Sequence, residues 1–77
     1  MIFLIILGNY RSAIKDCESA LQIIPSYKKA IKRGIECTFK LLAYDEVIEW
    51  CDKGLYHEPS DQDILASRSK AINEKVR

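Results

Sequence analysis

Residues 26 to 59 read SYKKAIKRGIECTFKLLAYDEVIEWCDKGLYHEP, and this stretch decides the fold because part of its pattern already occurs earlier in the chain. Seven earlier residues each stand 34 positions before a matching residue of the stretch. The pairs are Tyr10 and Tyr44, Ala13 and Val47, Ile14 and Ile48, Cys17 and Cys51, Ala20 and Gly54, Leu21 and Leu55, and Pro25 and Pro59. Self-similarity at a fixed period indicates an array of repeated structural units.

The apolar residues of these segments have the spacing of amphipathic helices. The pattern predicts one helix from residue 10 to about 23, a second over about residues 27 to 41, and a third over about residues 44 to 56. Ser26 is the expected cap of the second helix. Gly34 costs about 1 kcal/mol inside a helix relative to alanine, which indicates that a neighbouring helix approaches closely there.

The two ends of the chain are interpreted from their position relative to the repeat. The apolar run 1–7 has no period of its own and is interpreted as part of a leading helix, which a turn at residues 7–9 separates from the next one. At the other end, Ser60 and Asp63 resemble a capping box, and a half-polar helix is predicted over about residues 61 to 74. Such a helix is typical of the end of a stack of hairpins.

The prediction is therefore an all-α fold of helical hairpins in one small domain of 77 residues. It consists of a truncated repeat over residues 1–25 (a partial first helix and a second helix), a complete repeat over residues 26–59, and a capping helix over residues 60–77. A chain of this length buries little of its surface, so we expect marginal stability.

Charge and composition argue against several classes of partner. The chain has 12 Lys and Arg against 11 Asp and Glu, so no whole-chain field attracts nucleic acid or an anionic membrane. The apolar run 1–7 lacks a basic region before it and is too short to span a bilayer. We therefore expect neither a nucleic-acid partner nor a membrane anchor.

No residue pattern predicts catalysis, a metal or a cofactor. Cys17, Cys37 and Cys51 are odd in number and lack metal-ligand spacing, so we interpret them as packing residues in a reduced intracellular compartment. His57 has no partner positioned by a motif. Trp50 could stack on a ligand or pack between helices, and packing is favoured. We predict that the protein is not an enzyme and takes no cofactor.

The period of 34 with Gly-x-Tyr, Ala, Ala-Leu and Pro resembles the tetratricopeptide repeat, a helix-turn-helix unit that stacks into a right-handed superhelix. The matching residues are Gly8, Tyr10, Ala13, Ala20, Leu21, Pro25, Tyr44, Gly54, Leu55 and Pro59. Departures are Val47 and Gly54 where small alanine is expected, Cys17 and Cys51 where an aromatic is common, and Gly34-Ile35 for Leu-Gly. The expected packing residues of the repeats are Tyr10, Ala13, Cys17, Ala20, Gly34, Tyr44, Val47, Cys51 and Gly54.

Residues 7–13, 29–34 and 50–55 are similar to a co-chaperone group within that family. The resemblance implies a cytoplasmic protein, with the nucleus as a second location, that holds the acidic C-terminal tails of heat shock proteins 90 and 70. In that group a clamp of Lys, Asn and Arg grips the tail, and Lys29 and Arg33 match its last two cations. The other clamp positions have no counterpart in this chain, so we expect weak or undetectable tail binding by these residues alone.

The spacing of Lys29 and Arg33 is compatible with a clamp but does not establish one. Residues four apart lie on one face of a helix, so Lys29 and Arg33 can converge on one carboxylate, which Arg can engage with two hydrogen bonds. The alternative is an ordinary solvated helix face. A second alternative for the whole chain is a truncated structural scaffold without tail binding, which self-associates through exposed apolar side chains near its start, at Ile2, Phe3, Ile5 and Ile6.

Overall fold

The computed structural model describes the backbone of residues 2–77 and the side chains of residues 9–77. It contains four helices, α1 (Ile2–Ile23), α2 (Lys28–Lys40), α3 (Tyr44–His57) and α4 (Gln62–Lys75). The described backbone contains no strand, so the all-α prediction is confirmed. The helices predicted over residues 27–41, 44–56 and 61–74 agree with α2, α3 and α4 to within one residue at each end.

Each helix packs against the next one along the chain, and α2 also contacts α4. The molecule measures 40 × 35 × 15 Å along its principal axes, so it is a thin layer of helices. Its core draws on all four helices. The buried apolar residues are Ile14, Cys17, Ala30, Ile31, Ile35, Cys37, Val47, Trp50, Cys51, Ile64 and Ala71. The buried hydroxyl of Thr38 is satisfied by the backbone carbonyl oxygens of the preceding turn of α2.

The close approach expected at Gly34 is made by α3. A Cβ atom added at Gly34 would lie 2.5 Å from two ring carbons of Trp50, so the indole ring occupies the space that any side chain would need. A Cβ atom at Gly54 would lie 2.5 Å from Cδ1 of Ile64. The two glycines thus let α2, α3 and α4 approach one another closely.

The turn predicted at residues 7–9 is wrong, because α1 runs without interruption through Gly8 and Asn9. Isolated helices shorter than about 12 residues are marginal, so a seven-residue helix before a turn would have to be nucleated separately. Extending an existing helix adds one hydrogen bond per residue with no new nucleation. That gain exceeds the cost of about 1 kcal/mol for one helical glycine.

Two predicted helix caps differ from those observed. Tyr27, rather than Ser26, is the N-cap of α2, and it makes no side-chain capping bond. For α4 the N-cap is Asp61 instead of Ser60, since its Oδ1 accepts hydrogen bonds from the backbone N–H groups of Asp63 (3.0 Å) and Ile64 (3.2 Å). Ser and Asp side chains can both cap a helix. Asp61 takes this role because its carboxylate also pairs with Lys28 of α2.

Helix α2 ends in a Schellman motif closed by a residue other than glycine. The backbone N–H of Ala43 donates to the carbonyl of Thr38 (3.0 Å), and that of Leu42 donates to Phe39 (2.9 Å). Leu42 takes the left-handed conformation, with φ of 57°, which is unfavourable for a residue with a Cβ atom. This tight turn brings α3 back antiparallel against α2.

Candidate functional site

The exposed face of α2 carries a dense set of charges. Its exposed charged residues are Lys28, Lys29, Lys32, Arg33, Glu36 and Lys40. The opposite face, with Ile31 and Gly34, is buried against the rest of the molecule. Five cations against one carboxylate make this helix face locally basic, although the whole chain is almost neutral.

Two of these lysines are engaged within the molecule. Lys28 Nζ lies 2.9 Å from Oε2 of Glu58 and 3.1 Å from Oδ2 of Asp61, and Lys32 Nζ lies 3.3 Å from Oδ2 of Asp63. The hydrogen bonds to Glu58 and Asp61 raise the pKa of Lys28, and Lys28 together with the backbone N–H of Ile64 lowers the pKa of Asp61. These pairs join α2 to the start of α4.

Lys29 and Arg33 differ from them, because neither forms an ion pair with any side chain among residues 9–77. Both are exposed and stand one helical turn apart on the same face. The structure therefore brings together the two residues that the sequence analysis singled out. Two unneutralised cations at this spacing can bind one anionic group by charge-assisted hydrogen bonds.

Arg33 also lies near the seam between α1 and α2. Burial raises the pKa of the Cys17 and Cys37 thiols, and the positive charge of Arg33 acts in the opposite direction on both.

The predicted packing residues occupy two kinds of position. Cys17, Gly34, Val47, Cys51 and Gly54 are buried. The others, Tyr10, Ala13, Ala20 and Tyr44, are partly buried against the core. The side chains of Ile2, Phe3, Ile5 and Ile6, predicted to be exposed, lie outside the described residues.

Several ion pairs between helices were not found from the sequence. Arg11 donates two hydrogen bonds to the carboxylate of Glu46, at 2.9 and 3.0 Å, and Arg68 Nε lies 2.9 Å from Oδ1 of Asp52. The first pair spans 35 positions, one more than the repeat period. This separation could have indicated the pair, because residues about one period apart lie at equivalent places on neighbouring repeat units.

Trp50 offers no face on which a ligand could stack, and His57 belongs to no catalytic or metal cluster among the described residues. Trp50 is 4% exposed, so its ring cannot stack on a ligand, and Lys53 Nζ lies 4.6 Å from the ring centroid. His57 is exposed at the end of α3, where its ring makes an edge contact with Tyr56. Among the described residues no cluster of His, Cys, Asp and Glu could hold a metal ion. Nor is any helix of the described part both long enough and apolar enough to span a bilayer.

The buried thiols lead to a prediction about pH. Burial raises the pKa of Cys51 from 9.0 to about 11, so the stability due to its protonated form is complete below pH 9 and is lost as the pH rises through 11. We expect the melting temperature to fall more over this pH range in the wild-type chain than in Cys51→Ala. Melting curves recorded by circular dichroism check this, and parallel pH profiles would contradict it.

Comparison with known proteins finds relatives that contain repeats. The chain is 40% identical over 65 residues to tetratricopeptide repeat protein 4 of Bos taurus, a match that covers 84% of this chain and 17% of that protein. It is 38% identical over 71 residues to the tetratricopeptide repeat protein 4 homolog of Dictyostelium discoideum, with 92% and 18% covered. It is 28% identical over 68 residues to Hsp70-Hsp90 organizing protein 2 of Arabidopsis thaliana, with 88% and 12% covered.

The chain thus spans only a small part of the length of the curated relatives it matches. No family model matches it, and no solved structure gives a significant match. The relatives bear the names of repeat-containing and organizing proteins and not of enzymes, in agreement with the prediction that this chain is not an enzyme.

Proposed function

This chain is related to the tetratricopeptide repeat proteins, and from that relationship we propose that it is a protein-interaction module of a heat-shock co-chaperone. In this proposal Lys29 and Arg33 form part of a carboxylate clamp for the acidic C-terminal tails of the chaperones. The name of the Arabidopsis relative, which refers to Hsp70 and Hsp90, supports chaperones as the partners. The proposed location is the cytoplasm, with the nucleus as a second compartment.

The proposal depends on one observation, the contrast between neighbouring cations of α2. Lys28 and Lys32 are held by carboxylates of the same chain, whereas Lys29 and Arg33 pair with no described carboxylate. An anion binding to Lys29 and Arg33 would therefore not have to displace an internal ion pair. It would also relieve the repulsion between two like charges one turn apart.

Two cations alone give a weak site. Hydrogen bonds to charged groups contribute about 1.5 to 3 kcal/mol each, and exposure to water reduces the contribution of an ion pair at this surface. Association itself costs several kcal/mol in lost freedom of motion. We therefore expect the chain alone to bind a tail peptide at about millimolar affinity or weaker.

Titration of a fluorescent peptide with the acidic tail of heat shock protein 90 tests the proposal. It is added to this chain and to a version lengthened at its amino end by the preceding repeat of the Bos taurus relative. We expect measurable affinity only for the lengthened chain. The same peptide with an amidated C-terminus should bind less well, because it lacks the terminal carboxylate.

Charge reversal identifies the residues. In the lengthened chain, Lys29→Glu with Arg33→Glu should weaken tail binding at least about tenfold while helical content is unchanged. The matched control is Lys15→Glu with Lys40→Glu, since both lysines are exposed and pair with no carboxylate among residues 9–77. Equal losses of tail affinity in the two double variants would show that Lys29 and Arg33 do not form a clamp.

The scaffold alternative makes a different prediction. Failure of both chains to bind the tail would favour a repeat scaffold, and its self-association should then appear as a size that grows with concentration in light scattering. A monomer over a wide concentration range would contradict self-association.

A further inference from the structure

A groove of about 790 Å³ lies between the C-terminal end of α1 and the helix α3. None of its lining residues belongs to α2, so it is a different surface from that of Lys29 and Arg33. The α3 wall extends from Glu49 to His57, which corresponds to about 12 Å of helix. That length suits about two turns of a helical segment from another protein.

Apolar side chains form part of this groove and its surroundings. Leu21 and Pro25 line one wall, and Tyr56, which is 83% exposed, lines the other. Ile23 and Ile24, which precede Pro25 in the chain, do not line the groove but are also exposed, at 81% and 50%. Apolar side chains that are exposed close together and rimmed by polar residues mark an interaction surface rather than a random surface position.

The rim of the groove is acidic. Glu18 on one wall and Glu49 on the other pair with no cation among the described side chains. Asp52 is paired with Arg68 at 2.9 Å. The single lysine of the groove, Lys53, is drawn toward the ring of Trp50, with its Nζ 4.6 Å from the ring centroid. An anionic partner would therefore be repelled here, and a cationic one attracted.

We propose that this groove binds a basic amphipathic segment of a partner protein. An apolar side chain of that segment packs against Leu21 and Tyr56, and Lys or Arg side chains on either side of it lie next to Glu18 and Glu49. The site would bind independently of the α2 cations, so the module could hold an acidic tail on one surface and a basic segment on another.

A designed peptide serves as the probe. It is a fluorescent peptide made of two copies of Leu-Lys-Lys-Leu-Leu-Lys-Leu, which places leucines and lysines on opposite faces of a helix. Its counterpart has glutamate at every lysine position. Anisotropy titrations at about 0.15 M salt, where the Debye length is about 8 Å, restrict electrostatic effects to nearby charges. We expect saturable binding of the lysine peptide and much weaker binding of the glutamate peptide.

Glu49→Lys and Glu36→Lys form a matched pair, since both replace an exposed glutamate within a helix that pairs with no described cation. The double variant Glu18→Lys with Glu49→Lys should bind the lysine peptide about tenfold more weakly and the glutamate peptide more tightly. Glu36→Lys should change either affinity by less than about twofold. Tyr56→Ser should weaken both peptides, because it removes an apolar contact.

Two results would overturn the proposal: absence of saturable binding to the wild-type chain, or an effect of Glu36→Lys equal to that of Glu18→Lys with Glu49→Lys. The double variant Lys29→Glu with Arg33→Glu distinguishes this groove from the proposed tail site. It should leave affinity for the lysine peptide within about twofold of wild type, and a larger change would show that the peptide responds to the α2 face. Circular dichroism of every variant verifies that the helices remain folded.

Discussion

Replacement of Trp50 by alanine is expected to unfold most of this chain at room temperature. Trp50 is 4% exposed, and its ring lies against the backbone of α2 at Gly34. Truncation of a buried Trp to Ala costs about 3 to 5 kcal/mol. A chain of 77 residues has a total stability of about 4 to 12 kcal/mol, and a thin helical layer belongs at the low end of that range. The loss therefore approaches the whole free energy of unfolding.

The measurement is a urea titration followed by circular dichroism, with Tyr56→Ala as the control. Tyr56 is an aromatic residue of the same helix, but it is 83% exposed, so its truncation should change the free energy of unfolding by about 0.5 kcal/mol or less. If Trp50→Ala were no more destabilising than Tyr56→Ala, the packing of α3 on α2 would have to be revised.

Periodicity was sufficient to predict the helices because it reports which faces are buried. Apolar residues at helical spacing led to α2 and α3 within one residue of their observed ends, and a half-polar pattern after a supposed capping box led to α4 with the same accuracy. Gly34 added information about distance, since a glycine is tolerated within a helix when another helix needs its space. The residue that fills this space, Trp50, could not be identified from spacing alone, because that requires the register between α2 and α3.

Turns and caps were less predictable, because several residues compete for the same role. Gly8 and Asn9 accept left-handed as well as helical angles, and the continuous helix forms because it needs no second nucleus. Ser60 and Asp61 can both cap a helix, and Asp61 does so where its carboxylate also meets Lys28. The first outcome depends on the length of the whole helix, and the second on Lys28, a partner that the local sequence does not specify.

The candidate clamp, too, was predictable only in part from the sequence. The spacing of Lys29 and Arg33 places them on one face of a helix, and the structure agrees. Which cations of α2 are neutralised could not be predicted, because the carboxylate paired with Lys32 stands 31 positions away, on a helix whose docking angle is set by the core. Long-range packing therefore decides that, among the described side chains, Lys28 and Lys32 are paired while Lys29 and Arg33, one turn apart, are not.

Replacement of Gly34 by alanine is expected to destabilise the chain by up to about 2 kcal/mol, even though alanine is the better helix former. Overpacking of a core costs about 1 to 3 kcal/mol, and the gain in helix propensity returns about 1 kcal/mol. The added methyl would lie 2.5 Å from Cδ2 and Cε3 of Trp50, which belong to a rigid ring that is buried on all sides. The ring can move away only if the two helices separate.

Gly54→Ala is the matched control, because the same methyl is added at another buried helical glycine. There the nearest atom, 2.5 Å away, is Cδ1 of Ile64, the end of a side chain that can rotate. Its effect should therefore lie within about 1 kcal/mol of zero, with the propensity gain offsetting the displacement of Ile64. Urea titrations of both variants compare a rigid neighbour with a flexible one.

A double-mutant cycle then assigns the cost to Trp50 itself. Trp50→Leu keeps an apolar side chain but removes the ring, so Gly34→Ala should be close to neutral or stabilising in that background. The coupling free energy between the two positions should be about 1 to 3 kcal/mol. If Gly34→Ala remained as costly without the indole ring, the requirement for glycine would lie in the backbone of α2 and not in its contact with α3.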